Sequence, residues 1–187
     1  MIEILEITES PIDVAAFTAC VADESCGASV LFLGTTRRWT VPAKRDVMIQ
    51  GDQERLLETS HLIYEAYHEM ALSKLRELAM EAGRRWPIRK LAIVHRVGRV
   101  DPLEPSVAIA ISTPHRREAF EAGEWLIDSV KHEVPIWKQE HYVQGDAEWI
   151  HPTSGSCNCT HDHNTASSSP GAATCSEHES SHEPSSR

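Results

Sequence analysis

Residues 90–113 read KLAIVHRVGRVDPLEPSVAIAIST. Two apolar runs rich in β-branched residues, Lys90–Val97 and Ser106–Thr113, are separated only by a short segment carrying Asp101-Pro102-Leu103-Glu104-Pro105. Each run has strand length and composition. The connection is too short to hold a crossover helix, so the two strands are expected to pair antiparallel. Working outward, Ile2–Ile7 alternates and reads as a strand, as do Gly27–Thr36 (GASVLFLGTT), His61–Tyr67 (HLIYEAY) and Ile136–Val143.

Three segments carry helical spacing. Pro11–Ala22 places Pro at a helix start with Val14, Phe17 and Val21 on one side. Glu69–Trp86 sets Ala71, Leu75, Leu78 and Ala82 on one face and is stopped by Pro87. Pro114 opens a helix to about His132, with Ala119, Phe120, Gly123, Leu126, Ile127 and Val130 expected inward. Arg37–Ser60 is polar and broken by Pro42 and Gly51, so it is expected to be mostly loop, with a short helix over Gln53–Glu58. Trp149 is expected to close the core. Several strands connect without a helix between them, which predicts an α+β fold with a mainly antiparallel sheet.

The chain has 187 residues, 18 Lys and Arg against 28 Asp and Glu, and a net charge of -10. That balance opposes non-specific binding to nucleic acid or to an anionic membrane. No apolar run approaches the ~20 residues of a membrane span. The stretch MIEILEITESPID lacks the basic start and apolar core of a secretion signal. The five cysteines have no framework spacing, so reduced thiols in a cytoplasmic protein are expected.

Composition changes at His151. Residues 151–187 contain no Val, Ile, Leu, Met, Phe, Trp or Tyr, and ten of the 37 are Ser. Such a segment buries too little apolar surface to offset its ordering entropy, so a folded unit over 1–150 and a disordered tail over 151–187 are predicted. The tail carries -3, leaving -7 on the folded part. It also holds CNCTHDH at 157–163, whose Cys157, Cys159, His161 and His163 are metal-ligand types, and CSEHESSH at 175–182. The spacing fits no common zinc finger, and the bland alternative is a solvated tail with incidental ligands.

In the predicted folded unit, cations gather at element ends. Arg37 and Arg38 follow the strand GASVLFLGTT, His115 and Arg116 open the last helix, Lys131 lies near its end, and Lys138 follows Val134-Pro135-Ile136-Trp137. An arginine can grip a phosphate or carboxylate by two hydrogen bonds, and a helix start offers free N–H groups to an anion. Residues 116 and 131 stand about 23 Å apart along one helix, so one chain does not easily bring both to one small ligand, whereas a second subunit could bring one end close to the other's partners. Each feature has a plainer reading: Lys131 complementing the helix dipole, and Arg37, Arg38 and His115 as solvated groups. Lys138 is pinned by Pro135 and Trp137, and a rigidly held, partly desolvated lysine is suited to acid–base work. There is no G-x-G-x-x-G, P-loop or H-E-x-x-H motif.

FLGTTR at 32–37, YEAYHEMA at 64–71, RRWPIRKLAIVHRVGRV at 84–100, PHRREAFEAGEWLIDSVK at 114–131 and VPIWKQE at 134–140 together resemble the large, catalytic subunit of molybdopterin synthase. The agreement runs in order over most of 28–149. The resemblance implies an α/β hammerhead-type fold and a homodimer in which each subunit receives a small ubiquitin-like sulfur-carrier subunit, making a heterotetramer. It implies that the carrier's C-terminal thiocarboxylate gives sulfur to cyclic pyranopterin monophosphate, twice, building the dithiolene of molybdopterin. No resident cofactor is expected. By the same resemblance Thr35, Thr36, Arg37, His115, Arg116, Lys131, Lys138, Gln139 and Glu140 fall on the substrate site, with Lys131 and Lys138 as the catalytic pair. Two departures stand out. The segment between Arg37 and His61 is longer than usual for the family and is expected to act as a lid or to alter carrier docking. Leu103-Glu104-Pro105 stands where the family often has glycine before the acidic residue. Two other readings compete: a module that binds the carrier without chemistry, and a metal-binding protein acting through its Cys/His tail.

Overall fold

The computed structural model describes residues 2–40, 56–145 and 147–150. The tail, its candidate ligands and most of the long segment after Arg38 lie outside the described residues. The elements run β1 (Ile2–Thr8), α1 (Val14–Cys20), β2 (Ala28–Thr35), β3 (Trp39–Thr40), β4 (Leu57–Ala66), α2 (His68–Arg85), β5 (Lys90–Arg96), β6 (Gly98–Val100), β7 (Pro105–Thr113), α3 (Arg116–Glu133), β8 (Ile136–Tyr142) and β9 (Ala147–Ile150). The α+β expectation holds. Among the described strand pairs β1 with β5 is parallel, and the others are antiparallel.

The first sheet has the order β1-β5-β7-β2. The two runs of residues 90–113 are its centre, with Ile93 opposite Ile109 and Ala92 opposite Ala110. Side chains alternate across a strand. Leu91, Ile93, Ile109 and Ile111 therefore join Leu75, Leu78 and Leu126 of α2 and α3 in the main core. Ala92, Val94, Ala108 and Ala110 face the other way, against Phe17 and Val21 in and just after α1. Both faces are covered, which is why these strands read as unbroken apolar runs rather than as an alternation. Burying Leu91, Ile93, Ile109 and Ile111 completely contributes roughly 1.5–3 kcal/mol for each side chain.

The second sheet, β3-β4-β8-β9 with β6 also on β4, carries β8 and so positions Lys138. The expected loop over 37–60 is corrected here. Trp39 and Thr40 pair with Glu58 and Leu57, and β4 begins at Leu57, so Leu57 and Glu58 are strand rather than helix. The cause is tertiary: Thr59 N–H donates to the Arg38 carbonyl at 2.7 Å, and the Thr40 and Thr59 hydroxyls meet at 3.1 Å in a buried pair. Residues 53–55 of the expected helix lie outside the described residues.

Helix boundaries differ by small amounts. α1 begins at Val14, because the Asp13 side chain accepts the Ala16 amide at 3.0 Å and caps it. In α3, Phe120 points outward and is 63% exposed. The inward stripe is Ala119, Ala122, Gly123, Leu126, Ile127 and Val130; Phe120, seven residues before Ile127, lies at the edge of that stripe near the start of the helix and stays exposed. Trp149 is 46% exposed on β9 and does not close the core. No helix among the described residues is long and apolar enough to cross a membrane.

Candidate functional site

The rigid turn before Lys138 is built from backbone bonds. Val134 N–H donates to Val130 O at 3.2 Å, ending α3, and Tyr67 N–H donates to Pro135 O at 3.3 Å. The Tyr67 and Trp137 rings meet edge-on at 6.1 Å. β8 therefore starts from a fixed point. Along it, Lys138, Glu140 and Tyr142 share one face at the strand's two-residue period.

Those three side chains form a chain of contacts. Lys138 Nζ donates to Glu140 Oε1 at 3.0 Å, and the Tyr142 hydroxyl donates to Glu140 Oε2 at 3.1 Å. The Glu140 side chain is only 4% exposed, whereas that of Lys138 is 34% exposed. The carboxylate is thus buried and its ammonium partner partly exposed. Burial, followed by the Glu140 charge and hydrogen bond, pushes the Tyr142 phenol well above its usual range. Gln139 lies on the opposite face, where its amide oxygen accepts from His141 Nε2 at 3.0 Å. His141 there stacks on His61 at 4.4 Å. Burial, and then the charges of Arg99 and His141, lower the pKa of His61.

The Lys138 face joins the first sheet through Tyr64, which pairs with Lys138 across β4 and β8. The Tyr64 ring meets His95 of β5 edge-on at 5.2 Å. His95 is buried, and its Nδ1 donates to the Arg96 carbonyl at 2.7 Å. Only a protonated Nδ1 can bond a carbonyl, so this is the neutral Nδ1–H tautomer. Desolvation pushes the His95 pKa down to about 4.

Thr35, Thr36 and Arg37 leave the end of β2. Thr35 and Arg37 are exposed, and Thr36 is buried. Thr36 is clamped to the turn after β6: its N–H donates to Glu104 O at 3.0 Å, and its carbonyl accepts from Leu103 N–H at 2.8 Å. The buried Arg96 side chain holds the same turn, donating to Glu104 Oε2 at 3.0 Å and to Arg99 O at 3.2 Å. Glu104 also accepts from Asp101 N–H; that bond and the Arg96 guanidinium hold its carboxyl below the usual range. Leu103 sits at φ 73° in this turn, an uncommon conformation for a non-glycine residue. The expected departure from glycine thus falls on a backbone that favours glycine.

His115 is the N-cap of α3, Arg116 its first residue, and Lys131 lies in its last turn; all three are exposed. The Thr113 hydroxyl donates to the His115 carbonyl at 2.6 Å and fixes that start. α3 runs from Arg116 to Glu133, so Arg116 and Lys131 stand about 23 Å apart in one chain. The fold joins Lys138 to Glu140 directly. It leaves the side chains of Arg37, His115, Arg116 and Lys131 exposed, without a side-chain hydrogen bond or ion pair to the other described residues. Tyr142, Tyr64 and His95 were not singled out from the sequence. For Tyr142 the signal was present, since 138, 140 and 142 share a strand face; Tyr64 and His95 meet only through the tertiary fold.

A family model described as MoaE protein matches residues 7–133. The chain is 41% identical over 148 residues to a molybdopterin synthase catalytic subunit of Culex quinquefasciatus, spanning 78% of this chain and 85% of that protein. It is 38% identical over 148 residues to a molybdopterin synthase catalytic subunit of Bacillus subtilis (strain 168), spanning 79% and 85%. The crystal structure of molybdopterin synthase from Staphylococcus aureus is similar at a TM-score of 0.66 and 36% identity, over 78% of this chain and 95% of that one. The fold is also shared, at 20% identity and a TM-score of 0.57, with a chain in the complex of subunits 1 and 2 of molybdopterin-converting factor from Helicobacter pylori 26695, over 78% of this chain and 88% of that one. The matched stretch contains β2 with its Arg37 end, the whole of α2 and α3, and the central strand pair, and on this evidence the chain belongs to the MoaE protein family.

Proposed function

We propose that this chain is the catalytic subunit of a molybdopterin synthase, an enzyme of molybdenum cofactor biosynthesis that transfers sulfur to cyclic pyranopterin monophosphate. The observation that carries the reading is Lys138: its ammonium is partly exposed and anchored on the buried Glu140 carboxylate, within a family whose relatives are named catalytic subunits of that synthase. The sulfur donor is the C-terminal thiocarboxylate of a small ubiquitin-like carrier subunit. Arg37, His115 and Arg116, with Thr35 and Thr36, hold the substrate's phosphate. Lys131 and Lys138 face the reacting end: the sulfur bonds to a carbon of the pterin side chain, water takes its place on the carrier's acyl carbon as that carbon–sulfur bond breaks, and Lys138 supplies charge there and a proton to the group displaced. Gln139 and Glu140 complete the set, Glu140 by holding Lys138.

The length of α3 supports a homodimer within a heterotetramer, because a second copy can bring a Lys131 to the Arg116 end of its neighbour. Cytoplasmic placement belongs to the same proposal; it is supported by Cys20 and Cys26, which are free and half-buried, the state a reducing compartment maintains. The test is reconstitution. The chain is mixed with a thiocarboxylated carrier and cyclic pyranopterin monophosphate, and molybdopterin is detected as its fluorescent oxidation product. Product formation is expected. Tight carrier binding without product would instead favour a non-catalytic carrier-binding module.

A further inference from the structure

We propose that Tyr142 is a positioning residue for Lys138 and acts through Glu140. The inference rests on the reading of Lys138 as a working residue of the sulfur-transfer site. Its physical basis is the sharing of one carboxylate. Lys138 takes Oε1 of Glu140 at 3.0 Å and Tyr142 takes Oε2 at 3.1 Å. A carboxylate bonded at one oxygen can still turn about its last torsion, which is broad. Bonded at both, it is fixed in plane and aim. Tyr142 is itself buried, at 6% exposure.

The backbone around Tyr142 is also held. Tyr142 pairs with Thr59 of β4, whose hydroxyl meets that of Thr40. Its carbonyl accepts Gly145 N–H at 3.0 Å to close the following turn. The phenol stays a donor through the neutral range, since burial and the Glu140 charge oppose its ionisation. Without the hydroxyl, the Glu140 carboxylate turns, and the partly exposed ammonium loses its fixed position.

The test compares the full chain with Tyr142→Phe, Glu140→Gln and the double variant. Trace acylation of the free protein is read lysine by lysine by mass spectrometry, with the exposed Lys131 as internal reference. Tyr142→Phe is expected to raise Lys138 labelling relative to Lys131 by about threefold, and to lower the single-turnover rate about tenfold with half-saturation within about twofold. In the Glu140→Gln background the added Tyr142→Phe is expected to change labelling no further, as it must if Tyr142 acts through Glu140. Labelling and rate unchanged in folded Tyr142→Phe would overturn the proposal, as would an equal effect in both backgrounds. Should Tyr142→Phe not fold, wild-type Lys138 labelling in Glu140→Gln would overturn it by itself. Full turnover by Lys138→Ala would instead sink the functional reading, while the labelling still decides whether Tyr142 governs Lys138.

Discussion

Lys138 and Glu140 point to the same side of β8 and meet at 3.0 Å, with the carboxylate buried and the ammonium partly exposed. The pair is asymmetric. Removing the inner member leaves the buried Tyr142 hydroxyl without its acceptor, and an unsatisfied buried donor costs free energy. Glu140→Ala is expected to destabilise the chain by about 2 kcal/mol, read from urea unfolding. Equal midpoints for variant and parent would show that the carboxylate is not what satisfies Tyr142.

His95 sets a pH dependence. Burial lowers its folded pKa to about 4, against an unfolded value near 6.5. Between those values the unfolded chain binds the proton and the folded chain does not. The stability tied to neutral His95 is therefore fully present above about pH 6.5 and is lost as pH falls toward 4, by about 3 kcal/mol. Carboxylates titrate in the same range, so the check is a difference. His95→Gln should unfold with a shallower loss between pH 7 and 4 than the parent; parallel curves would refute the assignment.

Two glycines, Gly123 within α3 and Gly27 packed against the residue that leads into it, should behave in opposite ways. At Gly123 an added Cβ would meet Val30 Cγ1 at 3.6 Å and Ile111 Cδ1 at 3.8 Å, which is ordinary contact. Gly123→Ala in mid-helix is expected to stabilise by about 0.5–1 kcal/mol. At Gly27 the Cβ would stand 2.8 Å from the Pro114 carbonyl oxygen, the same atom that Gly27 N–H bonds at 3.1 Å. Gly27→Ala is expected to cost about 1–3 kcal/mol and, by moving Pro114, to disturb His115 and Arg116. Thermal unfolding of both variants distinguishes these signs.

Leu103 is 75% exposed and holds φ 73°. Its side chain adds little packing, while its backbone carries the left-handed cost of about 1–2 kcal/mol. Leu103→Gly relieves that cost and adds unfolded-state freedom of about 0.5–1 kcal/mol. The expected net is a stabilisation of about 0.5 kcal/mol in urea unfolding, with turnover kept. A clear loss of stability would contradict this reading of Leu103.

The central strands and the two long helices were legible because their cause is local. Ala71, Leu75, Leu78 and Ala82 repeat at helical spacing, and Lys90–Val97 is long enough to declare itself. Other elements have no local cause. β3 is two residues long and β9 four, too short to show any period, and β4 extends back to Leu57 only because β3 and β8 pair with it. Phe120 and Trp149 misled because apolar character does not reveal which way a side chain points. At the site, Lys138 stood out through its rigid flank, and Glu140 through the family resemblance. What binds them into one unit is the hydroxyl of Tyr142, two residues further along the same strand face. Arg37, His115, Arg116 and Lys131 stood out by their places at element ends and again through the family motifs, and α3 alone keeps Arg116 and Lys131 about 23 Å apart.

The most direct test of the account is a paired measurement on Lys138→Ala: single-turnover molybdopterin formation from thiocarboxylated carrier and cyclic pyranopterin monophosphate, beside carrier affinity for the same preparation. The account predicts carrier binding close to that of the parent chain and product formation reduced by about a thousandfold or more, since Lys138 supplies charge and a proton where the sulfur leaves. A variant that binds carrier and turns over at near the parent rate would contradict it.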